Sequence, residues 1–128
     1  MNRIDEFISF RQSMNKELLK NGNLEMKRFF ALDEKTYQPG ALDRRTKELL
    51  GLVASLVLRC DDCVSYHILQ AVRAGVSRRE LFEVFNVALV VGGSIVIPHL
   101  RRAMALLLEI ESDRKETPAG AEKPPDRP

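Results

Sequence analysis

Ten consecutive residues, Leu49-Leu50-Gly51-Leu52-Val53-Ala54-Ser55-Leu56-Val57-Leu58, are apolar on nearly every face, with only Gly51 and Ser55 relieving the run. A buried strand and a buried helix both accommodate such a stretch. Thr46-Lys47-Glu48 leads into it without a break, and the combined length exceeds a typical strand. The reading is therefore a helix over about residues 44–59, with Asp43 as its N-cap. A helix that is apolar all round has to be covered all round. One small domain cannot do that internally, so the run itself points to a homo-oligomer.

The other segments also read as helices. Ile4, Phe7, Ile8, Met14 and Leu18 repeat at helical spacing over residues 3–20, up to the Asn21-Gly22 stop. A shorter helix is predicted over residues 24–32, before Tyr37-Gln38-Pro39-Gly40 breaks the chain. Asp61 or Asp62 is placed to cap a helix that ends with Gly75 in the C′ position. Ser77-Arg78-Arg79-Glu80 is a capping box opening a helix to about Val91, and Gly92-Gly93 stops it. Ser94 starts a last helix reaching about Ser112, with Pro98 in its first turn, where a missing N–H costs little. The expected fold is all-α, about six helices in a single domain over residues 1–113. Residues 114–128 carry Pro, Gly, Ala and charge with nothing to bury, and are expected to be a disordered tail.

Composition excludes several classes. A chain of 128 residues that is 45% hydrophobic can build one real core. No apolar run approaches the ~18 residues of a membrane span. The opening Met1-Asn2-Arg3-Ile4-Asp5-Glu6 lacks a signal-peptide layout, so the expected location is cytoplasmic, away from membranes. A net charge of +2 is too small to argue for nucleic acid, and Arg44-Arg45, Arg78-Arg79 and Arg101-Arg102 read as solvated helix faces.

The chemistry is concentrated in Cys60-Asp61-Asp62-Cys63-Val64-Ser65-Tyr66-His67, which holds both cysteines and one of the two histidines. At ~100° per residue, Cys60, Cys63 and His67 share an arc of roughly 60° on a helix. Two thiols and an imidazole on one stripe make a redox site or a metal site. If the helix begins at Asp61, Cys60 sits at its cap and Cys63 in its first turn, where amide N–H groups favour a thiolate. His67, one turn past Cys63, is placed to take the thiol proton. Asp61 and Asp62 oppose a thiolate, although Asp62 lies roughly 160° round the helix from Cys60 and is expected to point away. The bland alternatives are two packed cysteines, a satisfied structural histidine, and a Glu48 paired with Arg44 one turn earlier. If the chain folds back near Arg59, Glu48 runs alongside His67 and can orient it. His99 is expected to be exposed in a first turn, or else to approach the site from a neighbouring helix. Ser55 and Tyr66 read as packing or hydrogen-bonding residues, and Gly92-Gly93-Ser94 as helix termination rather than a phosphate loop.

Glu48, eleven intervening residues, and then Cys60-x-x-Cys63-x-x-x-His67 resembles the signature of the carboxymuconolactone decarboxylase family, in its alkylhydroperoxidase D-like branch. The likeness covers about residues 42–107, taking in Leu42-Asp43-x-x-x-Lys47-Glu48-Leu49, Ala71-x-x-Ala74-Gly75-Val76-Ser77 and Gly92-Gly93-Ser94. Better-known hydroperoxidases of this type place a histidine directly before the second cysteine, where this chain has Asp62. The resemblance implies a helical fold with the C-x-x-C at a helix N-terminus and a thiol-dependent peroxidase without cofactor or metal. It implies that Cys63 attacks the peroxide, Cys60 protonates the leaving group and closes the disulfide, His67 is the base and Glu48 completes the relay. An external thiol or dithiol reductant is then required, and trimers or hexamers whose neighbouring helices close the site are implied. Two other readings stand beside it: a lactone decarboxylase, whose proton-transfer chemistry needs no thiols, and a non-enzymatic module. The module would either bind zinc through Cys60, Cys63, His67 and a fourth ligand or act as a disulfide switch.

Overall fold

The apolar run is a helix, and it forms the centre of the molecule. The computed structural model describes residues 2–116, and side chains to residue 114. It contains α1 (Arg3–Asn21), α2 (Leu24–Thr36), α3 (Arg44–Leu58), α4 (Asp61–Arg73), α5 (Arg78–Gly92), a 3-10 turn (Ser94–Val96) and α6 (Ile97–Glu116). The described residues are all helix and connecting turn, which makes the fold all-α.

Local chemistry sets most of these boundaries. The side chains of Asn2, Asn23, Asp43 and Ser77 each accept a hydrogen bond from an amide in the first turn of the helix they precede. Ser77 and Glu80 complete the reciprocal capping box. Arg59 turns the chain back after α3 with φ 62°, a left-handed conformation that costs a non-glycine residue about 1–2 kcal/mol. The Cys60 amide then donates to the Ser55 carbonyl at 3.0 Å, so α4 starts at once and runs antiparallel to α3.

Burial follows the helical period. Leu52 and Leu56 of α3 meet Ile68, Leu69 and Ala71 of α4, and Leu81, Phe85 and Ala88 of α5 close the core with Ala103, Leu107 and Ile110 of α6. The apolar run is nevertheless uncovered on one side, with Leu50 55% and Leu58 76% exposed. Val90 and Val91 of α5 are left in the open as well, as is Ile95 of the turn.

Three boundaries differ from expectation. Helix α2 continues to Thr36, because nothing between Leu32 and the Pro39-Gly40 break stops it. Ser94 opens a 3-10 turn before α6 begins at Ile97. Helix α6 runs past Ser112 to Glu116, so residues 114–116 belong to the fold and not to a tail. The Arg114 guanidinium donates to the Val72 carbonyl at the end of α4, at 3.3 Å. The remainder of the expected tail, residues 117–128, lies outside the described residues. Among the described residues no helix is long and apolar enough to cross a membrane.

Candidate functional site

The antiparallel pairing of α3 and α4 brings Glu48 beside His67. Glu48 is completely buried, and His67 Nδ1 lies 2.8 Å from its Oε2. Glu48 therefore faces the imidazole across the hairpin, as the fold-back at Arg59 required. Burial is the main cause pushing the His67 pKa down to about 4, with Arg11 lowering it further and Asp33 opposing. The imidazole is thus neutral near pH 7. With Nδ1–H donated to Glu48, the assignment that the partners dictate, Nε2 carries the lone pair.

Cys60 and Cys63 are joined as a disulfide, their Cα atoms 5.3 Å apart, within the usual span for such a bond. Cys60 itself is the N-cap of α4, a position the sequence offered to Asp61 or Asp62. Its Sγ accepts from the Cys63 amide at 3.3 Å. Cys63 is in the first turn and exposed, whereas Cys60 is half-buried. The two sulfurs thus differ in surroundings: one is held at the cap, the other stands open.

A cavity of about 280 Å³ lies over the exposed sulfur. Its floor is Asp62, Cys63, Tyr66 and His67 of α4, and its walls are Arg11 and Asn15 of α1 with Phe29, Phe30 and Asp33 of α2. Asp62 thus does not turn away as expected. Helices α1 and α2 cover that flank of α4, so the direction away from Cys60 still faces the cavity. The Arg11 guanidinium lies 3.5 Å over the Tyr66 ring, and Gln70 donates to the Tyr66 hydroxyl at 3.0 Å. Burial raises the Tyr66 pKa.

On the Cys60 side, His99 is not an exposed residue. Its side chain is 16% exposed, and Nδ1 is 2.7 Å from Asp61 Oδ1, while Arg102 reaches the other oxygen at 3.4 Å. The carboxylate that follows Cys60 is thereby held against α6. Ser55 donates to the Gly51 carbonyl at 2.7 Å, a hydrogen-bonding role within α3, and Gly93 ends α5 with φ 81°. No group of three or more His, Cys, Asp or Glu side chains among the described residues is placed to hold a metal, so the zinc alternative finds no ligand set.

Sequence reasoning assigned no part to Arg11, Phe30, Asp33 or Tyr37. The Tyr37 hydroxyl sits 3.5 Å from His67 Nε2, with ring centroids 5.5 Å apart. These residues precede the motif by more than twenty positions, and no periodicity or spacing links them to it.

The sequence matches the carboxymuconolactone decarboxylase family over residues 23–106. Crystal structures of a Thermotoga maritima protein superpose with TM-scores of 0.86 and 0.84 at 54% and 53% identity. They cover 88% and 87% of this chain, and 98% and 94% of that one. It is a member of the same family for which a part in the antioxidative response has been suggested. A family member from Legionella pneumophila, in its apo form, gives a TM-score of 0.76 at 23% identity over 85% of this chain and 97% of its own, a likeness of fold. An uncharacterised cox-locus protein of Paracoccus denitrificans is 32% identical over 83 residues, 65% of this chain and 75% of that protein.

Proposed function

The chain belongs to the carboxymuconolactone decarboxylase family, and on that premise we propose that it is a thiol-dependent peroxidase cycling Cys60 and Cys63 between dithiol and disulfide. One observation carries the reading. Cys63 opens on a cavity beside a neutral imidazole whose other nitrogen is anchored to a buried carboxyl group, and its partner sulfur is already in bonding position. The antioxidative role suggested for the Thermotoga relative supports it.

In the reduced protein His67 Nε2 takes the Cys63 proton, directly or through a water, and the first-turn amides of α4 favour the thiolate. The thiolate sulfur attacks the O–O bond of a hydroperoxide, giving a sulfenic acid on Cys63 and an alkoxide or hydroxide that Cys60 protonates. The Cys60 sulfur then displaces hydroxide from the sulfenic acid, which leaves as water with the proton held by His67, and the disulfide closes. An external thiol or dithiol returns both electrons, which suits a reducing, cytoplasmic setting. The apolar walls at Phe29 and Phe30 give room for an organic peroxide. The uncovered face formed by Leu50, Leu58, Val90 and Val91 is an interface between copies in a homo-oligomer, a trimer or hexamer. Lactone decarboxylation would leave the cysteine pair without a task.

The test is a sulfenic-acid trap with mass mapping. Cys63→Ser is expected to abolish peroxide consumption, and Cys60→Ser to react once and leave a trapped adduct on Cys63. An adduct on Cys60 in Cys63→Ser, with none on Cys63 in Cys60→Ser, reverses the assignment. No adduct in either variant, together with no disulfide formed by peroxide in the wild type, overturns the peroxidase reading.

A further inference from the structure

The base nitrogen of His67 has a neighbour that the proposed cycle does not use. Tyr37 caps the C-terminus of α2, outside the motif, yet its hydroxyl is 3.5 Å from His67 Nε2 and its ring lies tilted by 30° against the imidazole. Two further features hold it there. Lys47 Nζ donates to the Thr36 carbonyl at 2.8 Å and to the Gln38 carbonyl at 2.7 Å, pinning the backbone on both sides of Tyr37 to α3. One turn along α3, Gly51 leaves the space in which the two groups meet. A Cβ there would come within 2.6 Å of both His67 Cε1 and the Tyr37 hydroxyl. Lys47, Glu48 and Gly51 thus act on the same imidazole in three ways, by pinning its phenol neighbour, holding Nδ1 and leaving room.

We propose that Tyr37 is a positioning residue for His67, strapped down by Lys47, whose hydroxyl donates to Nε2 while the disulfide is closed and fixes the tautomer in which Nε2 is the basic nitrogen. The inference deepens the peroxidase reading, because the base is then preset before the thiol appears. Once an external thiol or dithiol has supplied two electrons and two protons to cleave the S–S bond and leave two thiols, the Cys63 S–H proton moves to Nε2, and the phenol gives up its hydrogen bond there. The groups facing the imidazole are Glu48 of α3, Tyr66 of α4, Arg11 of α1, Asp33 of α2 and Tyr37 itself.

The experiment is imidazole nitrogen NMR on the disulfide form as a function of pH. Wild type is expected to show His67 protonated on Nδ1. Tyr37→Phe keeps the ring but loses a donor that stabilises the neutral imidazole, so the His67 pKa should rise by about half a unit or more. The Nε2 resonance should shift at the same time. Lys47→Met, with Tyr37 intact, should move the same signals in the same direction and less far. Unchanged nitrogen shifts and titration in Tyr37→Phe overturn the proposal, even if its melting temperature falls. The two readings separate cleanly. If Tyr37→Phe moves the imidazole signals while wild type consumes no peroxide, positioning stands and the peroxidase reading falls. If wild type consumes peroxide and the signals stay put, Tyr37 is only a packing residue.

Discussion

Helices α2 and α4 are both thirteen residues long, and they are opposites. Helix α4 buries eight of its residues, and α2 buries none. The contrast is not one of polarity, since Leu24, Phe29 and Leu32 of α2 are 55%, 69% and 61% exposed. Only Phe30 and Asp33 of α2 are even half-buried, and both line the cavity over Cys63. Cys63 and His67 therefore sit on the helix the core holds, where rotamers are locked by packing. The cavity wall over Cys63 sits on a helix with few buried contacts, which belongs to the low-stability end of a fold.

The largest effect should come from comparing a core residue of one helix with an apolar residue of the other. Ile68 is completely buried, so Ile68→Ala should cost about 2–5 kcal/mol through lost burial and a residual cavity. Leu32→Ala should stay within about 0.5 kcal/mol, as an exposed substitution does. Urea unfolding of both variants under one set of conditions checks this. A cost at Leu32 well above about 1 kcal/mol would mean that another copy of the chain covers α2 in solution.

A second difference is one of pH. The His67 pKa is pushed down to about 4 in the folded chain, from 6.5. Above pH 6.5 neither state carries the proton, and the group's contribution to stability is complete. As pH falls from there toward 4, the unfolded chain takes up a proton the folded chain refuses, and stability is lost, about 3 kcal/mol in all. His67→Gln removes that slope, so the difference between wild-type and variant unfolding free energies should narrow between pH 7 and pH 4. A constant difference would show that burial does not hold the imidazole neutral.

The same contrast explains what the sequence disclosed. Helix α4 was legible because Asp61-Asp62 and Gly75 bracket it and its cysteines and histidine share a stripe. Glu48 was legible on the condition of a reversal at Arg59, and the left-handed φ there meets that condition. The end of α2 was not, since Pro39-Gly40 marks a break without saying how far the helix runs toward it. Nor was the cavity wall. Arg11, Asp33 and Tyr37 reach the site through the way α1 and α2 lie over α4, and such long-range placement leaves no periodic trace. Asp62 was read from helical angle alone, and the covering helices changed which direction counts as inward. His99 was placed correctly only as an alternative, because its carboxylate partner lies 38 residues away.

Assembly tests the outer face against the inner one. Val90 is 85% exposed and Val91 67%, on a helix that packs against α3, where Leu50 and Leu58 are exposed as well. If this face joins copies, Val90→Glu should weaken association by roughly tenfold or more, about 1.4 kcal/mol, and leave the secondary structure intact. Light scattering over a dilution series reads the shift. A wild-type mass equal to one chain of 14.5 kDa at micromolar concentration removes the oligomer altogether.

The smallest effect should be local to α2. Its cap is Asn23, whose side chain accepts from the Met26 amide at 3.1 Å, whereas α4 begins on the Cys60 sulfur and is held by the core. An isolated helix shorter than about 12–15 residues is marginal in water, so α2 depends on its cap more than α4 does. Asn23→Ala should lower the hydrogen-exchange protection of α2 amides by about 1 kcal/mol, roughly fivefold. Amides of α4 should exchange as in wild type, and alkylation of reduced Cys63 should keep its rate, because Asn23 caps the first turn of α2 whereas Asp33 and Tyr37, which face His67, lie toward its other end. Equal loss of protection in both helices would show that α2 opens only together with the core. The cavity wall would then be as firmly held as its floor, and the distinction between a rigid cysteine-bearing helix and a softer one over the cavity would fall.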